Sequence, residues 1–425
     1  MTVALTRFTY FVVLITTTLA MHAQKTSAAG HWVAAWSTAQ HTPRVGPNSP
    51  PAVPFENQTI RMVLRPTIGG DRLRIRFSNE FGTTPLLIGS AHIAVTKENG
   101  SIVAGSDHPL MFNGRPSATV PTGAPLLSDA VELHIAALGE VTVSIFLPKA
   151  TLPATFHLLG QHASYISVPG DFTSDSSFTS AREANSWFFL SGMEVWSAPA
   201  VGTLVALGDS ITDGFGAKAQ YGDWPNQLAA RLAKEKKGSV LAVDNEGIGG
   251  NRILWDGAGV SALTRFDRDV LSQPGVKYLV IMEGINDIGW PHMKPRPQAD
   301  GTTRENPWAG QRVTSEDLIL GLRQMIDRAH EHGIRVLGAT MTPYEGATTT
   351  FTDDGEAVRQ AVNQWIRTSG SFDGVFDFDA AVRDPSHPTK FREELQTGDY
   401  LHPNAAGYKA MADSINLSLF GRDWK

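Results

Sequence analysis

The sequence predicts an α/β protein in which a parallel-sheet half follows a β-rich half. From His31 to about Pro199, short runs alternate apolar and polar residues, and no helical periodicity of any length appears. From Val201 onward, short apolar strand runs interleave with helical stretches, which means a parallel sheet covered on both faces. The polar clusters of this second half fall at the ends of its strand runs, where parallel sheets carry their chemistry.

With 425 residues, the chain has room for about two or three domains and a sizeable core. Hydrophobic residues at 42% and charged residues at 18% describe a globular protein. A net charge of −6 gives no footprint for a polyanion, so nucleic acid is not an expected partner. The absence of cysteine removes disulfides, thiolate nucleophiles and Cys-ligated metal sites together.

Residues 1–29 read as a signal peptide. Arg7 precedes an apolar run from Phe8 to about Ala20, and small residues at Ala23 and at Ser27–Ala28–Ala29 offer cleavage sites. The run is shorter than the roughly 20 residues a spanning helix needs. Cleavage would leave a secreted or periplasmic protein with no stable membrane insertion.

Residues 30–199 form the expected β-rich accessory domain, patterned as a β-sandwich. Thr59–Arg65 and Leu73–Phe77 alternate as half-buried strands, and Gly69–Gly70–Asp71 between them reads as a hairpin turn. Further strand runs lie at Pro85–Val95, Val131–Ile135, Val141–Leu147, Tyr165–Val168 and Trp187–Val195. Trp32, Trp36 and Trp187 are either sugar-stacking platforms or core. Residues 200–425 form the expected catalytic domain. Its strands fall at Leu204–Leu207, Val240–Val243, Tyr278–Ile281, Val336–Thr340 and Val375–Phe378. Its helices fall at Pro225–Lys236, Glu316–Glu331, Glu356–Thr368 and Ala405–Leu419.

Four strand-end segments carry chemistry. In Gly208-Asp209-Ser210-Ile211-Thr212, the hydroxyl stands at the start of a helix, where N–H groups stabilise negative charge; a plain N-cap would look the same. Asn245–Arg252 contains a Gly-rich turn able to present backbone N–H groups to an oxyanion, or simply to turn. It is not a dinucleotide fingerprint, because position 252 is arginine. Asn286, in Gly284-Ile285-Asn286-Asp287, offers amide hydrogens to developing negative charge, or caps a helix. In Asp399-Tyr400-Leu401-His402, the carboxylate can curl back onto the imidazole three residues later.

Together, in the order Ser, Gly, Asn, Asp-x-x-His, these segments resemble the SGNH (GDSL-type) hydrolase superfamily. The resemblance rests on GDSIT at 208–212, the glycine turn ending at Gly250, GIND at 284–287 and DYLHPN at 399–404, and covers roughly the last 225 residues. HWVAAW near 31–36, the stretch from Asn57 and MTPYEG at 341–346 resemble large two-domain bacterial members grouped with acetylxylan esterase-like and arylesterase-like proteins. The resemblance implies a three-layer α/β/α parallel sheet behind a β-sandwich-like domain. It implies Ser210 as nucleophile, His402 as base and Asp399 as its orienter. The oxyanion hole it implies is the N–H of Ser210, the N–H of Gly250 and the side-chain amide of Asn286.

The implied activity is that of an exported serine ester hydrolase deacylating, with acetyl favoured, plant polysaccharides or oligosaccharides. The alternative is a short-chain aryl, feruloyl or lipid esterase, and a remote one is a carbohydrate-binding protein with an inactive hydrolase domain. The chemistry requires no cofactor and no metal. Trp255, Trp290 and Tyr344, with Trp224, lie near the catalytic loops in sequence and are expected to include residues lining the acyl or sugar site. Arg252 either meets an acidic substrate group or pairs with a carboxylate such as Asp287. His330-Glu331-His332 is the densest metal-ligand candidate, but residues two apart do not share a helix face, and it reads as a helix end before Gly333.

Overall fold

The computed structural model describes residues 29–43, 53–160, 162–217, 220–235, 241–297 and 301–421. All but the last residue of the expected signal peptide, residues 1–29, lies outside them. Among the described residues, no helix is long and apolar enough to cross a membrane.

The first half is built from two antiparallel sheets that share one core. One sheet runs His31–Ser37, Leu190–Ser197, Gly70–Ser78, Val131–Ile135, with Pro125–Leu127 also paired to Gly70–Ser78. The other runs Ser180–Ala184, Ser164–Pro169, Gln58–Leu64, Val141–Leu147, Ser90–Glu98. Alternate residues such as Ile60, Met62, Leu64 and Leu73, Ile75, Phe77 are all fully buried in that shared core, as a period of two requires.

Three expectations for this half need correction, the first being the run at Pro85–Val95, which divides at Gly89 into Leu86–Ile88, paired with Ala118–Val120, and Ser90–Glu98 in another sheet. Gln58–Leu64 and Gly70–Ser78 do not form a hairpin: they belong to different sheets, and the segment between them crosses over. Ile68 anchors the crossing in the core, while Thr67 bonds to Ala35 O (2.8 Å) and accepts from Val243 N–H (2.9 Å). The strand run at Trp187–Val195 breaks at Phe189, whose φ is +57°. Trp36 and Trp187 are core, packed edge to face at 5.1 Å, and the Trp187 indole donates to Val63 O at 3.1 Å.

The second half is a five-stranded parallel sheet ordered Leu241–Gly247, Gly202–Gly208, Val276–Met282, Arg335–Ala339, Gly374–Phe376. Helices Trp224–Lys234, Phe378–Val382 and Ala405–Ser414 cover one face. Ala262–Phe266, Ser315–Glu331 and Asp353–Thr368 cover the other. Sheet order reverses at Gly202–Gly208, the first of these strands in sequence, which places its carboxyl end at the topological switch point. Ser210 stands two residues beyond that end.

The halves meet along an extensive seam. Thr38 bridges to Asn245, Ala34 N–H donates to Pro274 O (2.9 Å), and Thr203 Oγ1 donates to Ala34 O (3.0 Å). The His31–Ser37 strand thereby packs beside Leu241–Gly247, at what is otherwise the edge of the parallel sheet.

Candidate active site

Gly208 closes its strand where space is short: a Cβ there would stand 2.1 Å from Thr212 Oγ1 and 2.8 Å from Met282 O. Asp209 then caps the helix Ser210–Asp213, its carboxylate accepting from Ile211 N–H at 2.9 Å. Burial pushes the Asp209 carboxyl up to about 6, against the pull of that N–H and of His402. Ser210 Oγ lies 2.8 Å from His402 Nε2, and His402 Nδ1 lies 2.6 Å from Asp399 Oδ2.

The Asp399–His402 loop folds on itself. Asp399 Oδ1 accepts from the backbone N–H of Leu401 (3.0 Å) and of His402 (2.9 Å), while Tyr400 takes the left-handed conformation at φ +60°. Burial acts to raise the Asp399 carboxyl; the His402 ring and these two N–H groups outweigh it and hold it far below the usual carboxylate range. The carboxylate fixes the proton on Nδ1 and leaves Nε2 to accept from Ser210.

The glycine turn lies alongside. Asn251 N–H closes it on Ile248 O at 2.9 Å, and Gly250 takes φ +82°, the third position of a type II turn and one that favours glycine. Gly249 N–H is committed to Asp213 Oδ2 at 2.9 Å, and a Cβ at Gly249 would stand 4.0 Å from Ser210 Cβ. Asn286 Nδ2 donates one hydrogen to Asn251 O (3.0 Å), which orients the amide and leaves its second hydrogen to donate elsewhere. Asp287 accepts from Ile253 N–H (2.7 Å) and Leu254 N–H (3.0 Å), and burial pushes its carboxyl up to about 7.

Beneath these loops lies a residue that the sequence did not single out. The guanidinium of Arg265, 1% exposed, donates to Glu246 O (2.7 Å), Gly208 O (3.1 Å), Asn251 Oδ1 (2.9 Å) and Asp269 Oδ2 (2.9 Å). One side chain thus ties two strand ends to the glycine turn. No local motif marks it.

The aromatic expectations divide. Tyr344 is fully buried in the core beside Phe351, so it cannot line a substrate site. Trp224 is likewise core, packed on Phe378 at 5.3 Å. Trp255 is 43% exposed on its loop. Trp290 does adjoin the site: a Cβ at Gly250 would stand 2.7 Å from its Cζ2. It packs on Trp308 at 4.6 Å, and the two, with Met293, Lys294, Arg304 and Asn306, line a cavity of about 310 Å³. Trp308 was missed because it lies far in sequence from every motif. Phe215, 44% exposed with its ring 4.5 Å from His402, was missed too. Arg252 is structural: it lies over Trp290 at 5.2 Å and donates to Gln311 Oε1 (2.7 Å). No cluster able to hold a metal ion occurs among the described residues.

Residues 206–410 match the GDSL-like Lipase/Acylhydrolase family. This part of the chain is a GDSL-like acylhydrolase domain. The protein is therefore an ester hydrolase. No curated protein matches the chain. Among solved structures, it resembles a catalytic mutant of Axe2, an acetylxylan esterase from Geobacillus stearothermophilus (21% identity, 52% of this chain and 95% of that one, TM-score 0.38). It also resembles LAE5, an alpha/beta hydrolase enzyme from the metagenome of Lake Arreo (21%, 52% and 95%, 0.37). A third is a GDSL-like lipase from Bacteroides thetaiotaomicron (18%, 51% and 87%, 0.34).

Proposed function

We propose that the acylhydrolase works as a serine esterase through Ser210, His402 and Asp399. The observation that carries this is the pair of contacts Ser210 Oγ–His402 Nε2, 2.8 Å, and His402 Nδ1–Asp399 Oδ2, 2.6 Å. Ser210 Oγ attacks the ester carbonyl while Nε2 takes its proton. The oxyanion that forms is met by the N–H of Ser210, the N–H of Gly250 and the second amide hydrogen of Asn286. The imidazolium returns the proton to the departing alcohol, and a water activated by the same Nε2 then releases the acid from Ser210.

On this reading residues 200–425 are the catalytic SGNH-type α/β/α unit and residues 30–199 the accessory β-sandwich. The protein is exported to the periplasm or beyond after loss of residues 1–29. The substrates are acyl, foremost acetyl, esters of plant polysaccharides or oligosaccharides. Supporting this is the Trp290–Trp308 pair rimmed by Lys294, Arg304 and Asn306, an aromatic face with polar edges that suits a sugar ring. The same flat rings favour a second reading, a short-chain aryl or feruloyl ester. Hydrolysis of acetylated xylan, p-nitrophenyl acetate and a long-chain p-nitrophenyl ester, with Ser210→Ala alongside, tests both. Acetate release from polymer supports the first; activity on the aryl acetate alone moves the substrate to small esters. No hydrolysis of any of them contradicts the proposal.

A further inference from the structure

Asp213 ends the helix that begins with Ser210, and its two carboxylate oxygens reach in different directions. Oδ2 accepts from Gly249 N–H at 2.9 Å, in the glycine turn. Oδ1 lies 3.0 Å from Nε2 of His157, which belongs to the first half, on the short strand Phe156–His157 paired with Trp187–Phe188. His157 is 2% exposed, and its other nitrogen, Nδ1, lies 2.8 Å from Ala39 O.

Both ring nitrogens of His157 therefore face acceptors, a carbonyl and a carboxylate. A neutral imidazole has one N–H and satisfies only one of them. The geometry calls for a ring carrying both protons, paired with the Asp213 carboxylate inside the protein. The shift of the ring agrees in direction: burial acts to lower it, the charge and hydrogen bond of Asp213 with the Ala39 carbonyl prevail, and the net movement is upward despite Arg265 nearby. Leu159, two residues on, also reaches the turn, its Cδ1 lying 3.1 Å from where a Gly249 Cβ would be.

Resting on the esterase reading above, we infer that His157 is a positioning residue of the oxyanion hole. Through Asp213 it fixes the Gly249 amide, and with it the direction in which the adjacent Gly250 N–H points. The accessory half is on this account part of the catalytic apparatus. A buried pair so placed does not touch substrate, so its loss acts on the transition state and not on binding. A displacement of the order of 1 Å in such a donor costs up to about 100-fold in rate.

The test is steady-state hydrolysis of p-nitrophenyl acetate by the full chain and by His157→Phe, Asp213→Ala and Asp213→Asn. Turnover is expressed per active site titrated to completion with a fluorophosphonate, so that unfolded protein is not counted. His157→Phe and Asp213→Ala are expected to lower kcat roughly 10- to 100-fold with KM within about threefold of wild type. Asp213→Asn keeps an oxygen for Gly249 and gives its NH2 to a neutral His157, and is expected to stay within about threefold of wild-type kcat. If His157→Phe does not fold, the Asp213 pair decides alone. Wild-type kcat per titrated site in His157→Phe or Asp213→Ala overturns the inference, as does an Asp213→Asn that falls as far as Asp213→Ala. A wild type with no ester hydrolysis would sink the serine-esterase reading itself; an active wild type with unaffected variants sinks only this inference.

Discussion

Among the described residues, the hydrogen bonds of Ser210, His402 and Asp399 themselves stay within the second half of the chain, whereas the helix end at Asp213 and the glycine turn beside it are held from both halves. The first group sits on a helix cap, a strained tyrosine and an Asp–His loop whose hydrogen bonds span no more than five residues, apart from the serine–histidine contact itself. The turn is braced by Arg265 and Asn286 from its own half and, through Asp213, by His157 from the other. On the proposed reading, the difference teaches that nucleophile and base are largely local constructions, while the donors that would stabilise charge depend on the packing of two sheet systems. That dependence makes the turn the more vulnerable of the two.

The comparison can be broken at each part in turn. Ser210→Ala should remove ester hydrolysis, a loss of about a millionfold in kcat, with the melting temperature kept within a few degrees. Asp399→Asn should cost about 10³- to 10⁴-fold in kcat by freeing the wrong tautomer of His402, read in the same assay. Asn286→Ala should lower kcat about 100- to 1,000-fold with little change in KM, and a loss confined to KM would remove Asn286 from the oxyanion hole. Trp308→Ala should raise KM roughly 3- to 10-fold on the preferred ester while sparing kcat. An unchanged KM would detach the Trp290–Trp308 cavity from the substrate.

The smallest expected effect concerns the seam. Asp244 is fully buried, and burial pushes its carboxyl up to about 7. In the unfolded chain it titrates near ~3.9. Between those values the folded state binds the extra proton, so this group makes stability fall as pH rises from about 4 to 7. Asp244→Asn should leave the melting temperature unchanged at pH 4 and raise it at pH 8. The same pH dependence in both proteins would contradict this.

What was legible in the sequence follows the same division. Strand and helix runs of the second half lie within about four residues of the observed elements because apolar periodicity is a local signal, except that the last helix ends at Ser414 rather than Leu419, where Ile415 turns extended. The four motifs were legible because each is a short stretch at a strand end. Sheet membership was not: the Gly69–Asp71 glycines signal a turn, and only the pairing partners, far along the chain, decide that the turn changes sheets. Tyr344 reads as a site residue by its nearness to a motif, yet its ring completes the core under the Asp353–Thr368 helix. His157, Arg265 and Trp308 carry no signal at all, since each acquires its role from neighbours brought together by folding.

The most direct test of the central claim is mass spectrometry of the intact protein after reaction with a fluorophosphonate, followed by peptide mapping. The account predicts a single adduct on Ser210 of the wild type, and none on Ser210→Ala, which also fails to hydrolyse p-nitrophenyl acetate. An adduct on another residue, or full hydrolysis by Ser210→Ala, would contradict it.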